Sequence, residues 1–135
     1  GADLALDARD PGTVERILQA TDSDGVDVVL EMSGAQAALD QALATITRGG
    51  RISLLGIFGE PVRVDLSDFV IQKGLRIYGI YGRRIYDTWE RTQALLRSGA
   101  LDVTPIITHR LDLADWARGF ELLASRHAGK VVLLP

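Results

Sequence analysis

The chain has 135 residues, 47% of them hydrophobic and 24% charged, with a formal net charge of −3 and no cysteine. That is material for one packed domain or slightly less than two. It excludes disulfides and thiolate metal sites, and a mildly acidic chain without a basic block argues against a nucleic-acid partner. No apolar run approaches the roughly 18 residues that cross a bilayer, and no signal peptide is visible. A soluble, cytoplasmic protein with no membrane partner is expected. The sequence opens at Gly1 and its single Met is Met32, so it reads as a piece of a longer protein.

In chain order, Leu4–Ala8 alternates and is expected as a short strand. Asp10-Pro11 has the form of an N-cap followed by proline at the first helical position. Val14, Ile17 and Leu18 hold helical spacing, so a helix runs to about Ala20. After a loop at Asp22–Gly25, Val26–Met32 is a mostly apolar strand closed by Ser33-Gly34. Ala38, Leu39, Ala42, Leu43 and Ile46 form one helical stripe. Gly49-Gly50 ends that helix as a C-cap would, and the strand Arg51–Ile57 follows at once. A β-α-β-α-β order implies an α/β fold with a parallel sheet and right-handed crossovers. Unbroken apolar runs suit strands covered on both faces.

Beyond Gly59, Val62, Val64 and Leu66 alternate with Arg63 and Asp65, as in a half-exposed edge strand. Ser67-Asp68 opens one helical turn through Ile71, stopped by Lys73-Gly74, and the strand Leu75–Tyr81 follows. Asp87 or Thr88 caps a helix with Trp89, Leu95 and Leu96 on its inner side, ended by Gly99. Pro105 precedes a short strand, Ile106–Leu111. Asp112 caps a helix whose Trp116, Phe120 and Leu123 are expected in the core, and Lys130–Leu134 is a terminal strand.

The chemistry-bearing residues gather at strand ends. The runs Ile52–Ile57 and Leu75–Tyr81 close on Gly56-x-x-Gly59 and Gly79-x-x-Gly82. A glycine there marks a turn or admits a second backbone or a ligand, and ligands of open parallel sheets bind at the carboxyl ends of strands. No Gly-x-Gly-x-x-Gly is present. Glu31 interrupts an apolar strand just before Ser33-Gly34. It is either a carboxylate at a ligand crevice or, the preferred reading, an acid paired with a nearby donor. His109 and His127 lack partners at ligand spacing and read as structural or surface residues. Arg83-Arg84 and Lys130 could face a phosphate or be solvated. There is no Ser-His-Asp set and no pair of catalytic carboxylates.

The segments Leu30–Gly34, Gly49–Ile57, Lys73–Arg83, Pro105–Arg110 and Gly129–Leu133 occur together in this order. They resemble the C-terminal part of zinc-dependent medium-chain alcohol dehydrogenases, over the whole chain. The resemblance implies a partial Rossmann fold, with strands at Leu4, Val26, Arg51 and Leu75 as the third to sixth of a doubly wound parallel sheet. Residues 1–82 would be the C-terminal part of an NAD-binding domain, and 83–135 an α/β return segment toward a catalytic domain. Leu55, Gly56, Ile57, Ile80 and Tyr81 would line the nicotinamide end of NAD, with Ser33 and Gly34 nearby and Lys130 near the pyrophosphate. The glycine fingerprint, the ribose-binding acid, the zinc ligands and the acid–base relay would lie upstream of Gly1. No catalytic residue or metal ligand is therefore expected in this chain, and NAD should bind it weakly or not at all.

The implied parent is an NAD- and zinc-dependent enzyme oxidising a secondary alcohol, threonine the leading substrate. A polyol or other alcohol is the runner-up. A non-enzymatic half-domain that only assembles or weakly binds nucleotide is the rival. A homo-oligomer through Val62–Leu66 and Leu75–Tyr81 is also implied.

Overall fold

Three parallel strands carry the first half of the chain, in the order β1 (Val26–Glu31), β2 (Ile46–Leu54), β3 (Arg76–Gly79). The computed structural model describes residues 2–135 and divides them at Gly82/Arg83 into two compact units. In the first unit, helices α1 (Thr13–Ala20) and α2 (Gln36–Thr45) precede β1 and β2 respectively, and a π-helical turn at Leu66–Ile71 precedes β3. The parallel α/β character expected from the alternating order is present.

The core lies where α2 covers the sheet. Leu39, Leu43, Ile46 and Ile52 are buried together, and Val29, Leu54, Phe58, Val64 and Leu75 pack around them. In register, Val29, Ile52 and Ile77 form one row across the three strands. Each Leu or Ile taken from water there is worth roughly 1.5–3 kcal/mol. The opposite row, Val28 with Arg51 and Leu30 with Ser53 and Tyr78, is not covered: Val28, Leu30 and Tyr78 stand exposed. The expectation of cover on both faces is thus corrected. An apolar run reports which residues tolerate burial, not whether a layer lies over them.

Several local expectations also change. Leu4–Ala8 forms no strand. Among the described residues no neighbouring strand completes a ladder with it, and Ala8 spends its carbonyl on the Gln41 side chain at 2.7 Å. α1 starts at Thr13 rather than Pro11, because the Asp10 carboxylate turns onto the Gly12 N–H at 2.9 Å and leaves the helix uncapped. Gly49-Gly50 is not a C-cap. α2 ends at Thr45, Ile46 is already extended, and residues 47–50 bulge out where the register jumps from Val26/Ile46 to Val28/Arg51. The helix end is served by Lys73, whose Nζ donates to the carbonyls of Leu43 at 2.6 Å and Ile46 at 3.1 Å. A cation there suits the negative end of the helix dipole. Desolvation, with Arg48 nearby, nonetheless holds the Lys73 ammonium below its usual range.

The segment Val62–Leu66 is extended but is no strand. Gln36 takes the place of a partner: its amide accepts from the Arg63 N–H at 2.8 Å and donates to the Arg63 carbonyl at 2.9 Å.

The second unit is built from α3 (Asp87–Arg97), β4 (Ile107–Asp112), α4 (Trp116–Ala124) and β5 (Lys130–Leu134), with β4 and β5 parallel. Neither Asp87 nor Thr88 caps α3. Asp87 pairs instead with Arg91 at 2.9 Å, Thr88 donates back to the Arg84 carbonyl, and Trp89, Leu95 and Leu96 are exposed. A 3₁₀ turn at Leu113–Asp115 separates Asp112 from α4. α4 meets the strands through Gly119, where a Cβ would lie 3.3 Å from Val131. Trp116, Phe120 and Leu123 are therefore not core. Trp116 and Phe120 sit edge-on to each other, 6.1 Å between centroids, with Phe120 65% exposed. Among the described residues no helix is long and apolar enough to cross a membrane.

Candidate functional site

Because β1, β2 and β3 are parallel, their carboxyl ends emerge side by side, Glu31 opposite Leu54 and Leu54 opposite Gly79. The backbone continues the pairing past the strands. The Glu31 carbonyl accepts from Leu55 N–H at 2.8 Å and Gly56 N–H at 3.1 Å, and the Leu54 carbonyl accepts from Ile80 N–H at 2.9 Å.

Glu31 is 3% exposed. A buried carboxylate persists only if it is well hydrogen-bonded. Its Oε1 accepts from the Ser33 N–H at 2.8 Å, the Ser33 hydroxyl at 2.6 Å and the Gly34 N–H at 2.9 Å. The acid paired with nearby donors is therefore what stands here, although Oε2 is buried with no partner. Burial is the largest single influence on this carboxyl and pushes its pKa up. The Ser33 hydroxyl and the Gly34, Ser33 and Ala35 N–H groups together outweigh it and hold the group below the ordinary glutamate value. The stabilisation is present above that ordinary value and is lost as pH falls through the lower, folded one.

The two turns interlock. Gly34 has φ +69°, and a Cβ on it would strike the Ile57 carbonyl, with Ile57 C at 2.7 Å. A Cβ on Gly56 would strike the Gly34 amide nitrogen and lie 2.6 Å from Glu31 Oε2. Backbone thus approaches backbone at both glycines. Ser33, Gly34, Leu55, Gly56 and Ile57 come together at the ends of β1 and β2, and Ile80 and Tyr81 follow β3 alongside. Ile57 is 81% exposed and Tyr81 92%, and Leu55 and Ile80 are also open to solvent. Four apolar side chains left in water at the carboxyl ends of parallel strands suit a flat, partly apolar ligand. In the second unit, Lys130 opens β5 and is exposed.

Among the described residues no group of three or more His, Asp or Glu is gathered that could hold a metal ion. The His109 ring instead lies with Nδ1 2.9 Å from the Thr108 hydroxyl. These residues do not fit a zinc centre. Sequence reasoning missed the Gln36 clamp on Arg63 and the Lys73 cap on α2, neither of which leaves a periodic signal.

Residues 1–98 match the family model for zinc-binding dehydrogenases. The chain belongs to the zinc-binding dehydrogenase family. It is 42% identical, over its whole length, to L-threonine 3-dehydrogenase of Bacillus velezensis, of which it spans 39%. It superposes with TM-score 0.85 and 26% identity on 2R,3R-butanediol dehydrogenase from Bacillus subtilis, covering all of this chain and 38% of that one. It superposes with TM-score 0.88 and 26% identity on a Sinorhizobium meliloti chain described as a zinc-binding dehydrogenase bound to NADP, again covering all of this chain and 40% of that one. The chain therefore spans about two fifths of the length of the relatives it matches.

Proposed function

We propose that this chain is the C-terminal part of an NAD-dependent secondary-alcohol dehydrogenase, threonine its substrate, and that it supplies the nicotinamide side of the cofactor cleft. Residues 1–82 would complete the dinucleotide-binding domain, and residues 83–135 would return toward a catalytic domain. The observation that carries the proposal is the open row of Leu55, Ile57, Ile80 and Tyr81 at the carboxyl ends of parallel strands, in a chain of this family. Identity to L-threonine 3-dehydrogenase favours threonine.

NAD, if bound here, would supply the hydride acceptor for the oxidation of a secondary alcohol. The residues described here bind and orient. Gly34 and Gly56 set the two turns, and Leu55, Ile57, Ile80 and Tyr81 exclude water from the ring edge. The exposed ammonium of Lys130 is the candidate for a pyrophosphate oxygen.

The test is NADH absorbance. The full-length gene product with zinc, NAD and threonine is expected to turn over faster than with 2,3-butanediol. The 135-residue chain alone is expected to show no turnover and to bind NAD no tighter than about 1 mM, near −4 kcal/mol. Equal or better turnover of butanediol would move the assignment to another secondary alcohol. Turnover by the short chain, or micromolar binding to it, would sink the half-site reading.

The same proposal extends to assembly. β3 is an edge strand, and its outer N–H and C=O groups are available to pair with a second copy across a two-fold axis. The segment Val62–Leu66 no longer contributes a strand to this pairing, since Gln36 holds Arg63. Analytical ultracentrifugation at micromolar concentration is expected to show a dimer or larger species. A clean monomer would contradict it.

A further inference from the structure

The unpartnered oxygen at the centre of the strand-end cluster has a consequence for how the cluster works. Glu31 is the one acid of β1 that is buried, and every donor it finds belongs to the turn that follows it. Its other oxygen points to the space beside Gly56, where a Cβ would lie 2.6 Å away. Its own carbonyl holds Leu55 and Gly56. One residue therefore grips both turns, the first with its side chain and the second with its backbone.

We propose that Glu31 is a positioning residue, whose buried carboxylate fastens the Ser33-Gly34 turn against Gly56 and Ile57 so that both strand ends present one rigid ledge to the nicotinamide end of the dinucleotide. This rests on the cofactor reading above. Without the clip, Gly34 is free to leave the Ile57 carbonyl, because glycine at φ +69° has many other conformations within reach. The Leu55–Ile57 turn then loses its lateral support, and a bound ring meets a moving surface. Charge-assisted bonds are roughly twice as strong as neutral ones, which is why a carboxylate rather than an amide suits this place.

The test is Glu31→Gln in the full-length enzyme, with Ser33→Ala beside it. Kd for NAD and for NADP is read by fluorescence titration, kcat and KM from steady-state rates, and turn mobility from amide exchange. For Glu31→Gln the cofactor Kd is expected to rise about tenfold, the scale of one charged hydrogen bond made neutral. kcat is expected to fall at saturating cofactor. The Ser33 and Gly34 amides are expected to exchange at least tenfold faster, in the sense of local opening, while the Ile52 amide keeps its rate. Ser33→Ala, which removes only the hydroxyl, is expected to move the same readouts by about threefold in the same direction. A folded Glu31→Gln that melts earlier but keeps its Kd and kcat would make Glu31 merely structural and overturn the proposal. If Glu31→Gln does not fold, Ser33→Ala decides on the same readouts, and unchanged values overturn the proposal. A wild-type enzyme that binds neither NAD nor NADP overturns the cofactor reading itself, and this proposal with it.

Discussion

Ile52→Ala is expected to destabilise the first unit by about 3–4 kcal/mol, within the range of large-to-small changes at buried isoleucines. Among the described residues Ile52 is the one large side chain with no measurable exposure, 0%. It sits on the middle strand, between Val29 of β1 and Ile77 of β3, beneath Leu39 and Leu43 of α2. Truncation would open a cavity beside the apolar side chains of Leu39, Leu43 and Ile46, and an apolar cavity stays dry. The cost falls on a sheet covered on one face, so little redundancy exists to absorb it, and domains of this kind are stable by only roughly 5–15 kcal/mol in total. Urea unfolding of wild type, Ile52→Val and Ile52→Ala reads the effect from the midpoints at unchanged slope. The valine variant should lose about 0.5–1.5 kcal/mol. An alanine variant within 1 kcal/mol of wild type would mean that the sheet's centre lies elsewhere.

The elements legible in the sequence were those whose signal is carried by burial itself. The strand expected over Val26–Met32 forms as Val26–Glu31. Leu39 and Leu43 of the expected stripe are buried on α2, while Ile46 passes to β2. The strand expected over Arg51–Ile57 holds Ile52 but runs from Ile46 to Leu54. Lys130–Leu134 does so to the residue. Alternation alone misled twice, at Leu4–Ala8 and Val62–Leu66, because it states which side faces in and not whether a partner strand exists. In the second case a glutamine side chain met the backbone's hydrogen-bonding demand, an option that hydropathy does not encode. The i, i+4, i+7 set of Trp116, Phe120 and Leu123 marked a helix face correctly, but a single glycine on that helix decided which face touches β5. At the candidate site, Glu31 was legible as an interruption, and its donors lie within three residues, so local pairing could be anticipated. The contact of Gly34 with Gly56 could not, since it depends on β1 and β2 being adjacent and in register.

That contact sets the second large effect. Gly56→Ala in the full-length enzyme is expected to cost about 1–3 kcal/mol of stability, as overpacking does, and to weaken NAD by at least about tenfold, which corresponds to 1.4 kcal/mol. The new methyl would meet the Gly34 amide nitrogen and lie 2.8 Å from Gly34 Cα. These are backbone atoms, which cannot swing aside as the tip of a side chain can. Relief requires the Ser33-Gly34 turn to move off β2, and that strains its three bonds to Glu31 Oε1. The same chain contains its own control. Gly59 ends the same Gly-x-x-Gly spacing, yet a Cβ on it meets nothing within 4 Å, so Gly59→Ala is expected to be nearly neutral in both readouts. Thermal melts and NAD titrations of the two variants side by side separate a filled glycine position from an empty one. If Gly56→Ala behaves like Gly59→Ala, the strand ends are not interlocked, and the spacing of the two glycines records only a turn. If Gly56→Ala loses stability but binds NAD as wild type does, the interlock is real and the ledge is not where the cofactor rests.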